Sequence, residues 1–77
     1  MRKIDQLPLD TWATIATESV VSVDLMSIGF MPGEKMCLRQ TPIYGRKTYT
    51  IQIENSLFFI AEKELLGLLL TLEADRA

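Results

Sequence analysis

The chain has 77 residues, enough for one domain with a single core and too short for two. Hydrophobic residues make up 48% and charged residues 23%, a globular composition that excludes intrinsic disorder. Eight basic and ten acidic side chains leave a net charge of −2, and the basic ones are scattered in ones and twos. That excludes the basic stripe by which nucleic-acid binders neutralise phosphates.

The N-terminus runs from Arg2 and Lys3 into Asp5 and Gln6 with no apolar core, so it does not read as a signal peptide. Leu7-Pro8-Leu9-Asp10 is a turn-like entry to a first strand over about residues 11–17, where Ala13 and Ile15 alternate with Thr14 and Ala16. From Ser19 the period changes. Val21, Leu25 and Ile28 fall on one helical face, which predicts a short amphipathic helix with Ile28 in the core. Its three valines are poor helix formers, so packing must hold it. Gly29 stands where a left-handed C-terminal cap belongs, and Pro32-Gly33 makes a tight turn.

Residues 34–40 alternate as a strand and are followed by the loop Thr41-Pro42-Ile43-Tyr44-Gly45-Arg46-Lys47. Tyr49, Ile51 and Ile53 alternate with Thr50, Gln52 and Glu54, the clearest strand signal in the chain. Asn55-Ser56 reads as a two-residue turn into Leu57-Phe58-Phe59-Ile60, giving a hairpin over 48–61. The second strand is apolar on both faces, so something must cover the outer one. A helical turn follows over 61–66. For 68–73, leucine propensity favours more helix, while Gly67 and the closing of a sheet favour a last strand, which is the expectation adopted. The whole reads as one mainly β domain over 1–77, a small barrel with one or two short helices.

Little in the chain supports catalysis. There is no histidine, which removes the commonest general base and metal ligand. Cys37, flanked by Met36 and Leu38 in a strand, reads as a buried structural thiol, and a single cysteine excludes an internal disulfide. Gly29 and Gly33 form no phosphate-binding loop, because the following Lys-Ser/Thr is missing. Met26, Met31 and Met36 read as core filling in place of a thioether metal set. No cofactor and no metal site are expected. Most of the aromatics read as core; Tyr44, at a loop tip beside Ile43, is the exception.

The stretch Asp24-Leu25-Met26-Ser27-Ile28-Gly29-Phe30-Met31-Pro32-Gly33-Glu34 resembles the Leu-x-x-Leu/Met-Gly-Leu/Phe-x-Pro-Gly segment of the FeoA family, small cytosolic proteins of bacterial ferrous-iron uptake. Thr41-Pro42-Ile43-Tyr44-Gly45 looks like that family's Ala-Pro-Leu-Gly loop, and Glu62-Lys63-Glu64-Leu65 like its short helix before the last strand. The chain departs from the pattern in Val20, Val21 and Val23, where many members carry arginines, and in Tyr44 inserted before Gly45. The resemblance implies an SH3-like barrel and no enzymatic activity. It also implies a cytoplasmic location and one partner, the cytosolic GTP-binding portion of the membrane iron transporter FeoB, with no membrane insertion and no nucleic acid. The same barrel closes iron-dependent repressors of the diphtheria-toxin-repressor type.

The partner-binding residues expected on this basis are Leu25, Met26, Ile28, Gly29, Phe30, Pro32 and Gly33, with Ile43, Tyr44 and Gly45. The contact requires Leu25, Met26 and Tyr44 to be partly exposed. Phe59 and the Leu65–Leu70 run offer apolar surface for weak self-association. Two other functions compete: direct iron(II) binding as a chaperone or sensor, which the lack of histidine opposes, and capture of proline-rich peptides on exposed aromatics.

Overall fold

The computed structural model describes residues 1–43 and 45–73. After a 3-10 turn at Ile4–Gln6, five strands follow: β1 (Trp12–Ile15), β2 (Lys35–Gln40), β3 (Thr48–Ile53), β4 (Ser56–Ala61) and β5 (Leu70–Leu72). Helix α1 (Val23–Ser27) lies between β1 and β2, and α2 (Glu62–Leu65) between β4 and β5. The strands form one antiparallel sheet in the order β4-β3-β2-β1-β5, curled into a partly open barrel. The N-terminal segment extends the β5 side, where Arg2 and Leu70 exchange backbone hydrogen bonds of 2.7 Å in both directions.

Two-residue alternation sorts the strands into two faces. Inward go Ala13, Ile15, Met36, Leu38, Tyr49, Ile51, Ile53, Ile60, Leu70 and Leu72, all buried. Ile4 and Leu7 from the N-terminal segment, Leu25 and Phe30 from the long β1–β2 connection, and Leu65 and Leu68 complete the core. The last apolar run therefore splits: the helix ends at Leu65 and the chain re-enters the sheet at Leu70, as the closing of the sheet demands.

On the outer face the register sets Trp12, Cys37, Gln52 and Leu57 in one row across four strands. The guanidinium of Arg39 donates to Gln52 Oε1 and to Asp10 Oδ1, both at 2.9 Å, and lies 5.9 Å from the Trp12 ring centroid. Burial pushes the Cys37 thiol above its ordinary pKa, against the opposing charge of Arg39. Cys37 is the buried structural thiol its neighbours suggest.

Three local expectations are corrected. The helix begins at Val23, not near Ser19, because tertiary hydrogen bonds keep the preceding segment extended. Val20 N–H donates to Gly67 O at 2.8 Å, while Ser19 Oγ accepts from Leu69 N–H (2.8 Å) and donates to Leu69 O (3.0 Å). Helix α1 then starts on Ser22, whose hydroxyl accepts from Leu25 N–H at 3.2 Å. Ser22→Ala removes that cap and is expected to lower stability by about 1 kcal/mol in urea unfolding. The hairpin turn is Glu54-Asn55, one residue earlier than the sequence suggests: Ile53 pairs with Ser56, and Glu54 takes φ 55°. Finally, the outer face of β4 is left open among the described residues, with Leu57 54% and Phe59 74% exposed.

Candidate docking site

The connection from α1 to β2 is built as a chain of turns. Gly29 N–H donates to Met26 O at 3.1 Å and Phe30 N–H to Leu25 O at 3.0 Å, the paired bonds of a Schellman C-cap, with Gly29 at φ 114°. Leu25 and Phe30 supply the accompanying apolar contact from inside the core. Glu34 N–H then donates to Met31 O at 3.0 Å across Pro32 and Gly33, and Gly33 takes φ 91°. Two bonds fasten this turn to β1: Gly33 N–H to Ile15 O (2.8 Å) and Ile15 N–H to Glu34 O (2.9 Å).

So held, the segment presents Ile28, 39% exposed, and the exposed Met31 to solvent. Opposite them lies the turn end of the β3–β4 hairpin. Between the two is a cleft of about 200 Å³, lined by Ile28, Gly29, Met31, Glu34, Ile53, Glu54, Ser56 and Phe58. Phe58 joins it to the core through an edge-to-face contact with Phe30, ring centroids 6.1 Å apart. Gly29 is close-fitted here as well, since a Cβ on it would lie 3.4 Å from Ile53 Cγ2. The cleft adjoins a shallower hollow bounded by Trp12, Gly33, Lys35 and the same Glu34 and Glu54. The cleft's lining combines the apolar Ile28, Met31, Ile53 and Phe58 with the carboxylates of Glu34 and Glu54, a setting that suits an apolar side chain beside a cation.

The anticipated residues separate into three groups. Ile28, Gly29, Pro32 and Gly33 lie on this surface or build it, and Met26, half-buried in α1, is not among its lining residues. Leu25 and Phe30 do not reach it: Leu25 is only 4% exposed, so its anticipated exposure is corrected, and it acts as the pin that docks a helix too short to anchor otherwise. Ile28 is displaced in the opposite sense, from core to rim, because as the helix C-cap it leaves the helical spiral (φ −102°, ψ 7°). Ile43 and Gly45 lie elsewhere. Ile43 is exposed and lines a separate hollow of about 150 Å³ with Arg46, Thr48, Thr50 and Phe59, towards the open end of the hairpin. Tyr44 is outside the described residues.

Sequence reasoning missed Met31, Glu34, Glu54 and Phe58 as cleft residues. Met31, read as core filling, is instead 49% exposed because the turn at Pro32-Gly33 carries it outward, while Met36 is in the core as expected; the hairpin pair required the tertiary fold. Among the described residues the two exposed aromatics, Trp12 and Phe59, line separate hollows and do not share a groove for proline-rich peptides. Tyr49 is buried, with its hydroxyl donating to Glu62 Oε2 at 3.3 Å, and Phe58 is half-buried. Trp12, read as core, is 41% exposed and stands beside Arg39. Burial, and then Glu62, raise the Tyr49 pKa. Among the described residues no three His, Cys, Asp or Glu side chains gather as metal ligands, and no helix is long and apolar enough to cross a membrane.

Neither a protein-family profile nor a curated protein sequence matches the chain. Two solved structures share its fold. Iron(II) transport protein A from Clostridium thermocellum superposes with a TM-score of 0.78 at 21% identity, over 95% of this chain and 46% of that one. The chain thus spans less than half the length of that protein. FeoA from Stenotrophomonas maltophilia superposes with a TM-score of 0.69 at 23% identity, over 91% of this chain and 89% of that one. The latter was crystallised with zinc and is described as a prokaryotic SH3 domain protein and a candidate activating factor for bacterial ferrous iron transport. The SH3-like, mainly β architecture expected from the sequence is therefore shown.

Proposed function

We propose that this FeoA-fold domain is a non-enzymatic, cytoplasmic accessory protein of ferrous iron uptake that acts by docking on the GTP-binding portion of an FeoB-type transporter. The cleft between the α1–β2 turn and the β3–β4 hairpin is the docking surface. The observation that carries this reading is the placement of Ile28 and Met31: two apolar side chains held outward by a rigid, twice-anchored turn, beside the Glu34 and Glu54 carboxylates. The Gly-Phe-x-Pro-Gly segment that resembles the FeoA family builds that turn. A cleft this small suits a transient contact made by one or two anchoring side chains.

An NMR titration of labelled protein with the soluble GTP-binding domain of the matching transporter, with and without nucleotide, tests the proposal. Shifts are expected on residues 28–34 and 54–58. The double variant Ile28→Asp, Met31→Asp keeps the fold, because both side chains face solvent, and is expected to weaken binding at least tenfold, about 1.4 kcal/mol. Absence of shifts at high micromolar partner, or wild-type affinity in the variant, would remove the proposal.

A further inference from the structure

The open edge of β4 is a self-complementary surface. Its hydrogen-bonding phase follows from the hairpin: Ile53 and Ser56 close a two-residue loop, so they form a hydrogen-bonded pair, and every second pair after them does too. The 2.7 Å bond from Glu62 N–H to Lys47 O continues the same phase past the open end. Ser56, Phe58 and Ile60 therefore spend their backbone groups on β3. Leu57, Phe59 and Ala61 direct theirs to the free edge, where no described residue pairs with them. Leu57 and Phe59 are also the residues whose side chains stand exposed on the outer face.

Edge strands in monomeric proteins are commonly guarded by charge, proline or a bulge. Ser56-Leu57-Phe58-Phe59-Ile60-Ala61 has neither charge nor proline, and its pairing with β3 is regular throughout. We propose that this edge binds a second copy of the chain, β4 against β4 in antiparallel register, extending the sheet across a twofold axis. With the axis at Phe58, Leu57 of one copy stands opposite Phe59 of the other and the reverse, each pair exchanging two N–H···O bonds. The outward phase and the exposed side chains are satisfied together in this register. It also brings Glu54 of one strand towards the end of the other that carries Lys47 and Lys63 as well as Glu62 and Glu64, so each end holds three carboxylates and two ammonium groups and the dimer is expected to tighten modestly with added salt. Two short strands and two pairs of side chains bury an area at the low end for specific interfaces, so the dimer forms reversibly with concentration. The contact uses the free edge and outer face of β4, whereas Ser56 and Phe58 of the same strand line the cleft, so the two proposals are separated by their own variants, Phe59→Lys here and Ile28→Asp with Met31→Asp there.

Sedimentation velocity from low micromolar to millimolar protein, together with amide hydrogen exchange, provides the test. The expected result is a monomer–dimer equilibrium in which the Leu57 and Phe59 amides gain protection as concentration rises, while those of Phe58 and Ile60 are protected throughout. Phe59→Lys, at a solvent-facing site, is expected to keep the monomer folded and raise the dimer dissociation constant at least tenfold. A monomer at all concentrations with unprotected Leu57 and Phe59 amides would overturn the proposal. So would protection of those amides independent of concentration, which places the cover within one chain, or a dimer indifferent to Phe59→Lys.

Discussion

Gly67→Ala is expected to leave little folded protein at room temperature. A Cβ at this position would land inside the van der Waals shell of the Val20 carbonyl oxygen, 3.1 Å from Val20 Cβ and 3.2 Å from its carbonyl carbon. The obstacle is backbone, and it is tied in place: Val20 N–H bonds Gly67 O, and Ser19 bonds both backbone groups of Leu69. Relieving the clash means moving the two segments apart and loosening those bonds. Overpacking of this kind costs about 1–3 kcal/mol, and each neighbouring hydrogen bond about 1 kcal/mol more. Against the roughly 3–5 kcal/mol that a domain of this size commands, the sum is decisive. Urea unfolding should show a midpoint close to zero denaturant, with collapsed amide dispersion in the NMR spectrum. A midpoint unchanged from wild type would mean that the segment around Val20 moves aside at no cost.

Phe30→Ala should come close to the same outcome by a different route. Phe30 is fully buried, and it is the residue through which the core meets the cleft. Truncation removes its burial and its edge-to-face contact with Phe58 and leaves a cavity, a combination that costs about 3–5 kcal/mol. The damage is directional as well. Phe58, released from its partner, lines the cleft, so any folded fraction should bind the transporter domain more weakly than its stability alone predicts. Thermal unfolding followed by titration of the folded fraction separates the two effects. Wild-type docking by that fraction would show that Phe30 serves the core alone.

Much of this architecture is legible because local chemistry and tertiary role coincide. Gly29 and the Pro32-Gly33 turn are dictated by backbone conformations few other residues adopt, so the composition of that segment announces its shape. The 49–53 alternation is similarly unambiguous, one face in and one face out. Legibility fails where a contact distant in sequence decides. The valines before α1 have no local reason to stay extended; Gly67 and Leu69 hold them so. Leu25 and Ile28 share a helical face on paper, but the helix ends between them and sends one inward and the other out. A strand apolar on both sides, as β4 is, reads as one that must be covered, yet among the described residues its outer face stays open, because no segment of so short a chain is left to lie across it. The cleft belongs to the same class, since its two walls, ending at Glu34 and beginning at Ile53, are far apart in sequence and only the fold of the sheet brings them together.

The position of β1 between β2 and β5 has a consequence for how the molecule comes into being. Ile15 finds one neighbour in Leu70, and Arg2 is tied to that same residue, with nearly the whole chain between them. Loop closure of that length must be completed before the pairing returns any stabilisation, which places the domain among slow-folding β topologies and not with fast helical bundles. Until residues 70–72 close the sheet, the apolar faces of β1 to β4 and the unguarded Leu57–Phe59 edge stand open together, so refolding is expected to lose most protein to aggregation in that interval, and the loss to rise with protein concentration.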